Sequence, residues 1–521
     1  MNSNEIFNNK KEETNNSKSK NALDNLKSNY ILKKLFHYLS KKKLLEIIQY
    51  NKKLKQKLNI FFSDYKEYSE IYSSIEIEII PAKNKYGEFI CIDNKKDEKY
   101  YHIYFNNNKE EIKRTYLNIN EKVFKINIII DYQVKSINQL FYFCECIESI
   151  NFKKFSRNNI NNMSLMFFAC YSLKEIHFSN FNTEKVEDMS YMFRHCISLK
   201  KLNLSNFNTH KVIYMTEMFF QCSSLKEINL SSFNTNNVTD IKNMFNQCSS
   251  LKELNISNFN TEKISNMSYL FFACRALTKL NISNFNTKKV IDMSHMFDGC
   301  SSLIELKLSN FNTNKVNDMS YMFNKCSSLK YINLSNFITN NVIDMSFMFC
   351  ECFLLNEINI SSFNTNNVIN MSYMFCRCSS LEELNLSNFN TEKVKDMNDM
   401  FFRCSSLKEL NLSFFNTKDL IYTSPIFYLC NSLKNIKFKN FIIKDITIKN
   451  TMMFDEYSLK DIILSNFYNK NLINSKSIIF DYSEINKIEN KKPNKYIKKN
   501  VCIHILFILI VIFIIYNLKI I

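Results

Sequence analysis

Glycine and proline are almost missing from this chain. Only two glycines, Gly87 and Gly299, and three prolines occur among 521 residues. Phosphate-binding loops of the Walker A or GxGxxG type need several glycines close together, because the backbone must approach the phosphate. No such cluster is present, so the sequence argues against a nucleotide-binding enzyme of either type.

The N-terminus lacks an apolar stretch of the kind found in signal peptides. Residues 1–29 are polar and rich in Asn, Lys and Ser. Such a composition cannot bury enough apolar surface to offset chain entropy, so we expect a disordered tail. The formal charge of +18 is spread along a chain that is rich in Lys, Asn and Ile throughout. We attribute it to composition and do not expect nucleic acid among the partners.

The C-terminus carries a long apolar run, Val501–Tyr516, with the sequence VCIHILFILIVIFIIY. This run predicts a transmembrane helix over residues 501–518, preceded by a basic linker over 468–500. A buried helix or strand is the alternative. Five lysines precede the run between 491 and 499 and one follows it, which places the N-terminal side in the cytosol. We therefore expect a tail-anchored, single-pass membrane protein with cytosolic repeats; the opposite topology, at the cell surface, is the alternative.

A repeat of constant length dominates the middle of the chain. Cysteines recur every 26 residues, at Cys144, Cys170, Cys196, Cys222, Cys248, Cys274, Cys300, Cys326, Cys352, Cys378, Cys404 and Cys430. Phenylalanines and leucines follow the same interval, for example at Phe297, Phe323, Leu303 and Leu329. Insertions are absent, which predicts a solenoid of about twelve coils stacked in identical register.

The pattern inside one unit predicts the path of a coil. Leu303, Leu306 and Leu308 follow LxxLxL spacing, typical of a short strand with Lys307 facing outward. Asp318 then precedes apolar residues at helical spacing, namely Met319, Met322, Phe323 and Cys326. Asp is a good helix N-cap, so we expect one strand, a turn and about two turns of helix in each coil. The expected fold is an α/β repeat solenoid.

The stretches CSSLIELKLSNFNT and VNDMSYMF, with their copies, resemble the BspA-like leucine-rich repeats found in mycoplasma-type surface proteins. The resemblance covers residues 138–467. It implies a leucine-rich-repeat superhelix that serves as a binding or adhesion scaffold without catalysis. Many members of that family are exported, whereas this chain lacks a signal peptide, which puts surface display in doubt.

We expect no cofactor, metal or catalytic site. The repeated cysteines are expected to pack as small apolar side chains in one buried position of each coil. The CxC pairs Cys144/Cys146, Cys350/Cys352 and Cys376/Cys378 have no histidine at suitable spacing for zinc. Disulfides between adjacent coils need an oxidising compartment, so cytosolic thiols would stay reduced.

Two sets of outward residues are candidates for an interaction surface. One is a column of strand asparagines, Asn203, Asn229, Asn255, Asn281 and Asn333, which either hydrogen-bond from coil to coil or offer a repetitive polar surface; we favour the first. The other lies near the predicted helix ends and varies from unit to unit, comprising Phe168, Arg194, Phe220, Phe272 and Phe402. These aromatic residues either mark an interface or are buried between units.

Residues 30–60 form a separate apolar segment, expected to be helical. Its pattern LxxLFxYLxxxxLLxIxxxNKxL is similar to an F-box, carried by Leu32, Leu35, Phe36, Leu39, Leu44 and Leu45, although the usual proline is missing. The resemblance implies a Skp1-like partner; the alternative is a helical cap on the solenoid. Residues 61–137 contain strand-like runs and predict a small β-rich region, which completes a small N-terminal α+β region.

We therefore expect a membrane-anchored leucine-rich-repeat scaffold that mediates protein–protein interaction without catalysis. An F-box-type substrate adaptor of a ubiquitin ligase and a cell-surface adhesin are the two alternatives.

Overall fold

The computed structural model describes residues 56, 58, 70–179, 181–416, 420, 426–440 and 463–465. The predicted tail, the six F-box-like residues, the basic linker and the transmembrane segment all lie outside this part of the chain. Among the residues that are described, no helix is both long enough and apolar enough to cross a membrane.

A mostly antiparallel sheet precedes the repeats. Its strands lie in the apolar runs of residues 75–130, where buried and half-buried side chains alternate along β1 and β6. The strands of this region are β1 (Ile75–Pro81), β2 (Gly87–Glu88), β3 (Tyr101–Phe105), β4 (Glu111–Ile112), β5 (Tyr116–Leu117) and β6 (Ile126–Ile130), with a 3-10 helix at Lys95–Tyr100. The sheet continues into β7 (Ile147–Lys154) and β8 (Glu175–Phe178) in the order β4-β3-β6-β1-β7-β8.

The change from sheet to solenoid occurs at β7. Strand β1 pairs antiparallel with both β6 and β7, whereas β7 pairs parallel with β8. The parallel register joins Ser149 to Glu175, which are one repeat length apart. Strand β1 therefore covers the N-terminal edge of the first coil and satisfies its backbone groups.

Short parallel strands then mark the coils. They are β9 (Lys201–Asn203), β10 (Glu227–Asn229), β11 (Glu253–Asn255), β12 (Lys279–Asn281), β13 (Tyr331–Asn333), β14 (Glu357–Asn359), β15 (Glu383–Leu384), β16 (Glu409–Asn416), β17 (Asn435–Asn440) and β18 (Ile463–Ser465). Their partners are offset by one repeat length, as in Ile332 with Ile358. The predicted alternation is present: Ile332 is buried while Tyr331 and Asn333 are exposed. The repeats thus form a β-solenoid.

The predicted helix in each coil was wrong. No described coil contains a helix between residues 138 and 416. Alternate amides of the segment donate to the next coil, for example Met319 N to Asp344 O at 3.1 Å and Phe323 N to Met348 O at 2.9 Å. The amides between them close tight turns, such as Met322 N to Met319 O at 3.3 Å.

Left-handed residues explain why the segment does not coil into a helix. Tyr321 and Lys325 both have φ of 57°, a value that reverses the local sense of the chain. The predicted N-cap, Asp318, instead accepts a hydrogen bond from Ser320 N at 2.8 Å. The four apolar residues of the pattern, Met319, Met322, Phe323 and Cys326, are nevertheless at most 1% exposed. The apolar spacing therefore identified the core but not the backbone conformation.

Phenylalanine rings run through this core as a continuous stack. Twelve rings from Phe141 to Phe427, one in each coil, have successive centroids 5.2–5.9 Å apart and nearly parallel planes. Each inner ring packs against equivalents on both sides, so removing one leaves a cavity between two coils.

A buried threonine joins each coil to the next. Thr313 Oγ1 donates to Ile338 O at 2.9 Å and accepts from Ile338 N at 2.8 Å. We call this paired bond the threonine clamp, and it recurs at Thr183, Thr209, Thr235, Thr261, Thr287, Thr313, Thr339, Thr365 and Thr391. These side chains are at most 2% exposed, so the clamp satisfies two buried backbone groups that water cannot reach.

The repeated cysteines do more than fill space. Eleven of them, from Cys170 to Cys430, place Sγ 3.0–3.3 Å from the carbonyl oxygen of a phenylalanine 29 residues earlier, to which the thiol donates. We call these the ladder thiols. Burial raises the pKa of Cys274 and of Cys352 to about 12, which disfavours the thiolate that a metal would need.

Candidate interaction surface

Three neighbouring positions vary from coil to coil, although the core residues between them stay nearly constant. In one coil they are Tyr321, Asn324 and Lys325, and we call these and their equivalents at 26-residue steps the variable corner. The first position runs Gln, Leu, Tyr, Glu, Asn, Tyr, His, Tyr, Phe, Tyr and Asp from Gln139 to Asp399. Core positions between and beside them repeat Met, Phe and Cys, whereas some other exposed positions, such as the one held by Ile291 and Asn317, vary as well.

The first and third corner positions share an unusual backbone conformation. The first and third corner positions have positive φ in every coil from Gln139 to Arg403, with Gly299 as the single glycine among them. None of these positions holds Val, Ile or Thr, whose branched side chains fit the left-handed region poorly. The first position is half-buried in every coil, and the third is exposed at Lys325 and Arg403.

An aromatic stack fills the first corner position in the middle of the array. Its rings belong to Tyr269, His295, Tyr321, Phe347 and Tyr373, and successive centroids lie 4.3–4.4 Å apart. Burial, reinforced by nearby acidic groups, raises the pKa of Tyr321 to about 12. The stack keeps these rings half-buried, so it offers ring edges and polar substituents, and no open ring faces.

A polar cluster lies beside this stack. His295 Nδ1 is 2.8 Å from Asp298 Oδ2, and Asn324 Nδ2 donates to Asp298 Oδ1 at 2.8 Å. Asp298 is 5% exposed, so the two contacts hold its carboxylate in a fixed orientation. Among the described residues, no group of three or more His, Cys, Asp and Glu side chains could hold a metal ion.

The five corner residues identified from the sequence share the second position but form separate clusters. Arg194 lies over the Phe220 ring at 4.4 Å and the Phe168 ring at 5.7 Å, and it pairs with Glu217. Burial lowers the pKa of Arg194. The other two residues have different neighbours: Phe272 lies 5.5 Å from the ring of Tyr269, and Phe402 stacks on Tyr428 at 5.7 Å. All five are half-buried.

A basic groove of about 500 Å³ lies at the third corner position toward the C-terminal coils. Its lining combines two guanidinium groups with apolar and small polar side chains, namely Phe353, Arg377, Ser379, Arg403, Ser405, Leu429 and Asn431. Arg377 pairs with Glu351 at 2.9 Å, whereas the guanidinium of Arg403 lies 5.3 Å from the Phe402 ring centroid.

The strand asparagines lie elsewhere, on the face formed by the short strands. Asn203, Asn229, Asn255, Asn281 and Asn333 are exposed, and each Oδ1 accepts a bond of 3.0–3.3 Å from the serine amide two residues later. This bond closes a turn inside one coil rather than joining two coils. A local role of this kind accounts for the constancy of the asparagines.

Comparison with known families matches the repeats to one description, "Mycoplasma protein of unknown function, DUF285". Five overlapping stretches match, residues 135–254, 203–305, 225–332, 266–383 and 354–467, and together they cover more than half of the chain. The chain belongs to this family. The expected relation to mycoplasma-type repeats is thereby confirmed, whereas the narrower BspA-like assignment and the F-box-like segment stay predictions. The DUF285 matches include every coil that carries the variable corner.

Solved structures add little to the DUF285 assignment. Similarity is found to the crystal structure of the TLR13–ssRNA13 complex, with 17% identity over 59% of this chain and 50% of that chain, at a TM-score of 0.20. It is also found to the mouse RP105/MD-1 complex, with 18% identity over 62% of this chain and 56% of that chain, at a TM-score of 0.21. The chain thus spans about half of each, and these scores carry no argument about function. No curated protein matches the chain.

Sequence reasoning missed the first corner position and the threonine clamp. The aromatic stack from Tyr269 to Tyr373 was detectable as a column whose identity changes at each step of 26 residues. The first corner position was overlooked because a helix was predicted there. On a helix this position would face solvent, where variation is ordinary.

Proposed function

We propose that this DUF285 chain is a non-catalytic scaffold that binds a protein partner along its variable corner. The supporting observation is the contrast inside one backbone segment: the core residues repeat, whereas the corner residues change along the array. A surface that only completed the stack would have no reason to vary, since the backbone hydrogen bonds there are the same in every coil. Varied side chains on a rigid support can instead specify one partner.

The basic groove suggests where such a partner is held most firmly. Two arginines at successive third corner positions, flanked by Phe353 and Leu429, combine charge with apolar surface. Arginine and aromatic side chains dominate the binding energy of many protein interfaces. A partner segment with acidic and apolar side chains fits this lining.

Site-specific crosslinking tests the proposal with a matched pair of lysines. Lys325 lies on the variable corner and Lys307 on the strand face of the same coil, and both are exposed. A photoreactive phenylalanine analogue placed at each position of the full-length chain reports which face the partner contacts. We expect a discrete crosslinked species from position 325 and none from position 307.

Charge reversal then checks the specificity of that crosslink. Arg377→Glu with Arg403→Glu should weaken the crosslink at position 325 several-fold, whereas Lys307→Glu should leave it unchanged. Equal crosslinking from both faces, or indifference to the two arginines, would contradict the proposed surface.

We also propose that residues 501–518 anchor the chain in a membrane with the repeats on the cytosolic side. The support is the apolar run from Val501 to Tyr516 and the lysines before it. Protease protection of the membrane fraction, read with an antibody against the repeats, distinguishes the topologies. Digestion of the repeats on intact vesicles is expected, and full protection would favour the cell-surface alternative.

The F-box-type adaptor stays a second proposal, which rests on the LxxLFxYL pattern from Leu32 to Leu39. Binding of the full-length chain to a Skp1-like protein, compared with a Leu35→Asp and Leu39→Asp variant, provides its test. Equal recovery of that partner by both chains, or by neither, would remove it.

A further inference from the structure

Two cysteines occupy the variable corner rather than the core. Cys350 and Cys376 stand at the second corner position of consecutive coils, one repeat length apart. In other coils this position holds Phe, Tyr, Arg, Asn or Asp. The two thiols therefore do not belong to the ladder thiols, which fill the next turn of each coil.

The backbone brings these two positions side by side. Lys325 N donates to Cys350 O at 2.7 Å, and Glu351 N donates to Cys376 O at 2.8 Å, so the peptide groups around both cysteines are in the same register. Neighbouring β-type chains lie about 4.8 Å apart. That spacing is within the range of roughly 4.4–6.8 Å between the Cα atoms of a disulfide.

The direction of the thiols separates this pair from the ladder thiols. Each ladder thiol donates to a phenylalanine carbonyl and is at most 1% exposed, so its sulfur faces backbone and no reagent can reach it. The side chains of Cys350 and Cys376 instead interact with each other across the two coils, and they retain 6% and 5% exposure.

We propose that Cys350 and Cys376 form a redox-sensing pair, reduced under ordinary cytosolic conditions, which a small-molecule disulfide such as oxidised glutathione converts into a disulfide linking two neighbouring coils.

The chemistry is two successive thiol–disulfide exchanges. The Cys376 thiol loses its proton to solvent, and its sulfur attacks one sulfur of oxidised glutathione, forming a mixed disulfide and releasing one glutathione thiolate. Cys350 then loses its proton and attacks the Cys376 sulfur, which breaks the mixed disulfide and releases the second glutathione thiolate. Two protein thiols are oxidised to one disulfide, and one oxidised glutathione is reduced to two glutathione molecules, which take up the protons.

The order of these steps follows from the local environment. Interaction with the Cys376 side chain raises the pKa of Cys350, and burial and the neighbouring Glu351 add to the effect. Cys350 is thus less readily ionised than an ordinary cysteine, and it acts in the second attack, in which the mixed disulfide is held next to it.

Mapping of the oxidised full-length chain tests the proposal. The reduced protein is treated with oxidised glutathione, blocked with N-ethylmaleimide in denaturant and digested. We expect a linked peptide pair containing Cys350 and Cys376, the loss of two alkylatable thiols, and alkylation of every ladder cysteine. The oxidised chain should also show a higher thermal midpoint than the reduced chain.

Serine variants supply the controls, because this position holds Asp298 and Asn324 in other coils and therefore tolerates polar groups. Cys350→Ser should accumulate a glutathione adduct at Cys376, and both Cys350→Ser and Cys376→Ser should lose the oxidant-dependent rise in the midpoint. Recovery of both cysteines in alkylated form after treatment, or their linkage to other cysteines, would overturn the proposal.

Discussion

The interior of each coil and its variable corner share one stretch of backbone but use their side chains differently. Phe323 is fully buried and repeats in the coils on either side, whereas the next residue, Asn324, has Asp and Cys as its neighbours in the stack. The amides on this stretch bond alternately to the next coil and to their own turn, whatever the side chain. Register is therefore set by the backbone and the core, and the corner side chains are left free to vary.

Titration of the thiols in the interior gives the largest expected effect. Burial raises the pKa of the ladder thiols from 9.0, to about 12 for Cys274 and Cys352. Above pH 9 the thiol of an unfolded chain ionises, whereas the buried thiol stays protonated, so rising pH favours the unfolded chain. The stability that the buried thiol contributes is therefore complete below pH 9 and is lost as the pH rises toward 12. At pH 10 Cys274 and Cys352 should each lose about 1 kcal/mol of the stability that they contribute at neutral pH.

Burial raises the pKa of ten ladder thiols, from Cys170 to Cys404, so their combined loss should be the largest effect of pH on the stability of the chain. The measurement is the thermal midpoint by circular dichroism at a series of pH values from 8 upward. General charge repulsion predicts the opposite trend, because the chain carries a formal charge of +18 that falls with rising pH. A midpoint that stays constant up to pH 10 would contradict the role of the ladder thiols.

Truncating matched phenylalanines compares the two regions directly. Phe323→Ala removes a fully buried ring that stacks on Phe297 and Phe349, and it should cost about 4 kcal/mol. Phe402→Ala removes a half-buried corner ring and should cost about 1 kcal/mol. The shift of the urea midpoint measures both; similar shifts would mean that the corner side chains also hold the stack together.

Substitution of a clamp threonine tests how much the clamp stabilises the packing of one coil on the next. Thr313→Val keeps the shape but leaves the amide and carbonyl of Ile338 without their partner, which should cost about 3 kcal/mol. Thr313→Ser retains the hydroxyl, and its free energy of unfolding should fall much less. Hydrogen exchange of the Ile338 amide is a second readout, since the valine variant alone should accelerate it.

The smallest effect concerns the left-handed corner positions. Gly299 has φ of 75°, and an added Cβ would lie 3.2 Å from the Cα of Ala273. Gly299→Ala should therefore destabilise the chain by about 1 kcal/mol. Ala273→Gly removes a side chain from a position with φ of 53° and should have the opposite sign in the same denaturation assay.

The sequence predicted the solenoid and its core well, because constant spacing demands constant geometry. The apolar residues Met319, Met322, Phe323 and Cys326 were correctly assigned to the interior. Their spacing fits a helix, but it also fits successive turns with left-handed residues at Tyr321 and Lys325. Nothing in local propensity separates the two, since the choice depends on hydrogen bonds to a coil 26 residues away.

Prediction of the candidate surface was less complete, for a related reason. The second corner position was found because its aromatic residues stand out, as at Phe220 and Phe272. Whether those rings meet depends on which residue occupies the same position in the next coil. Arg194 joins two of them, whereas Asn246 separates Phe220 from Phe272. The asparagine column does not depend on the neighbouring coil, because the Oδ1 of each side chain accepts a hydrogen bond within its own turn.

The threonine clamp also bears on how such an array can change over generations. Each hydroxyl bonds only to the main chain of the following coil, so the bond does not depend on the side chain at that position. A gene segment encoding one whole unit can therefore be duplicated, deleted or exchanged without disturbing its neighbours. Recombination between near-identical units would then shuffle corner residues into new combinations, and diversity of recognition would arise from copying rather than from point mutation.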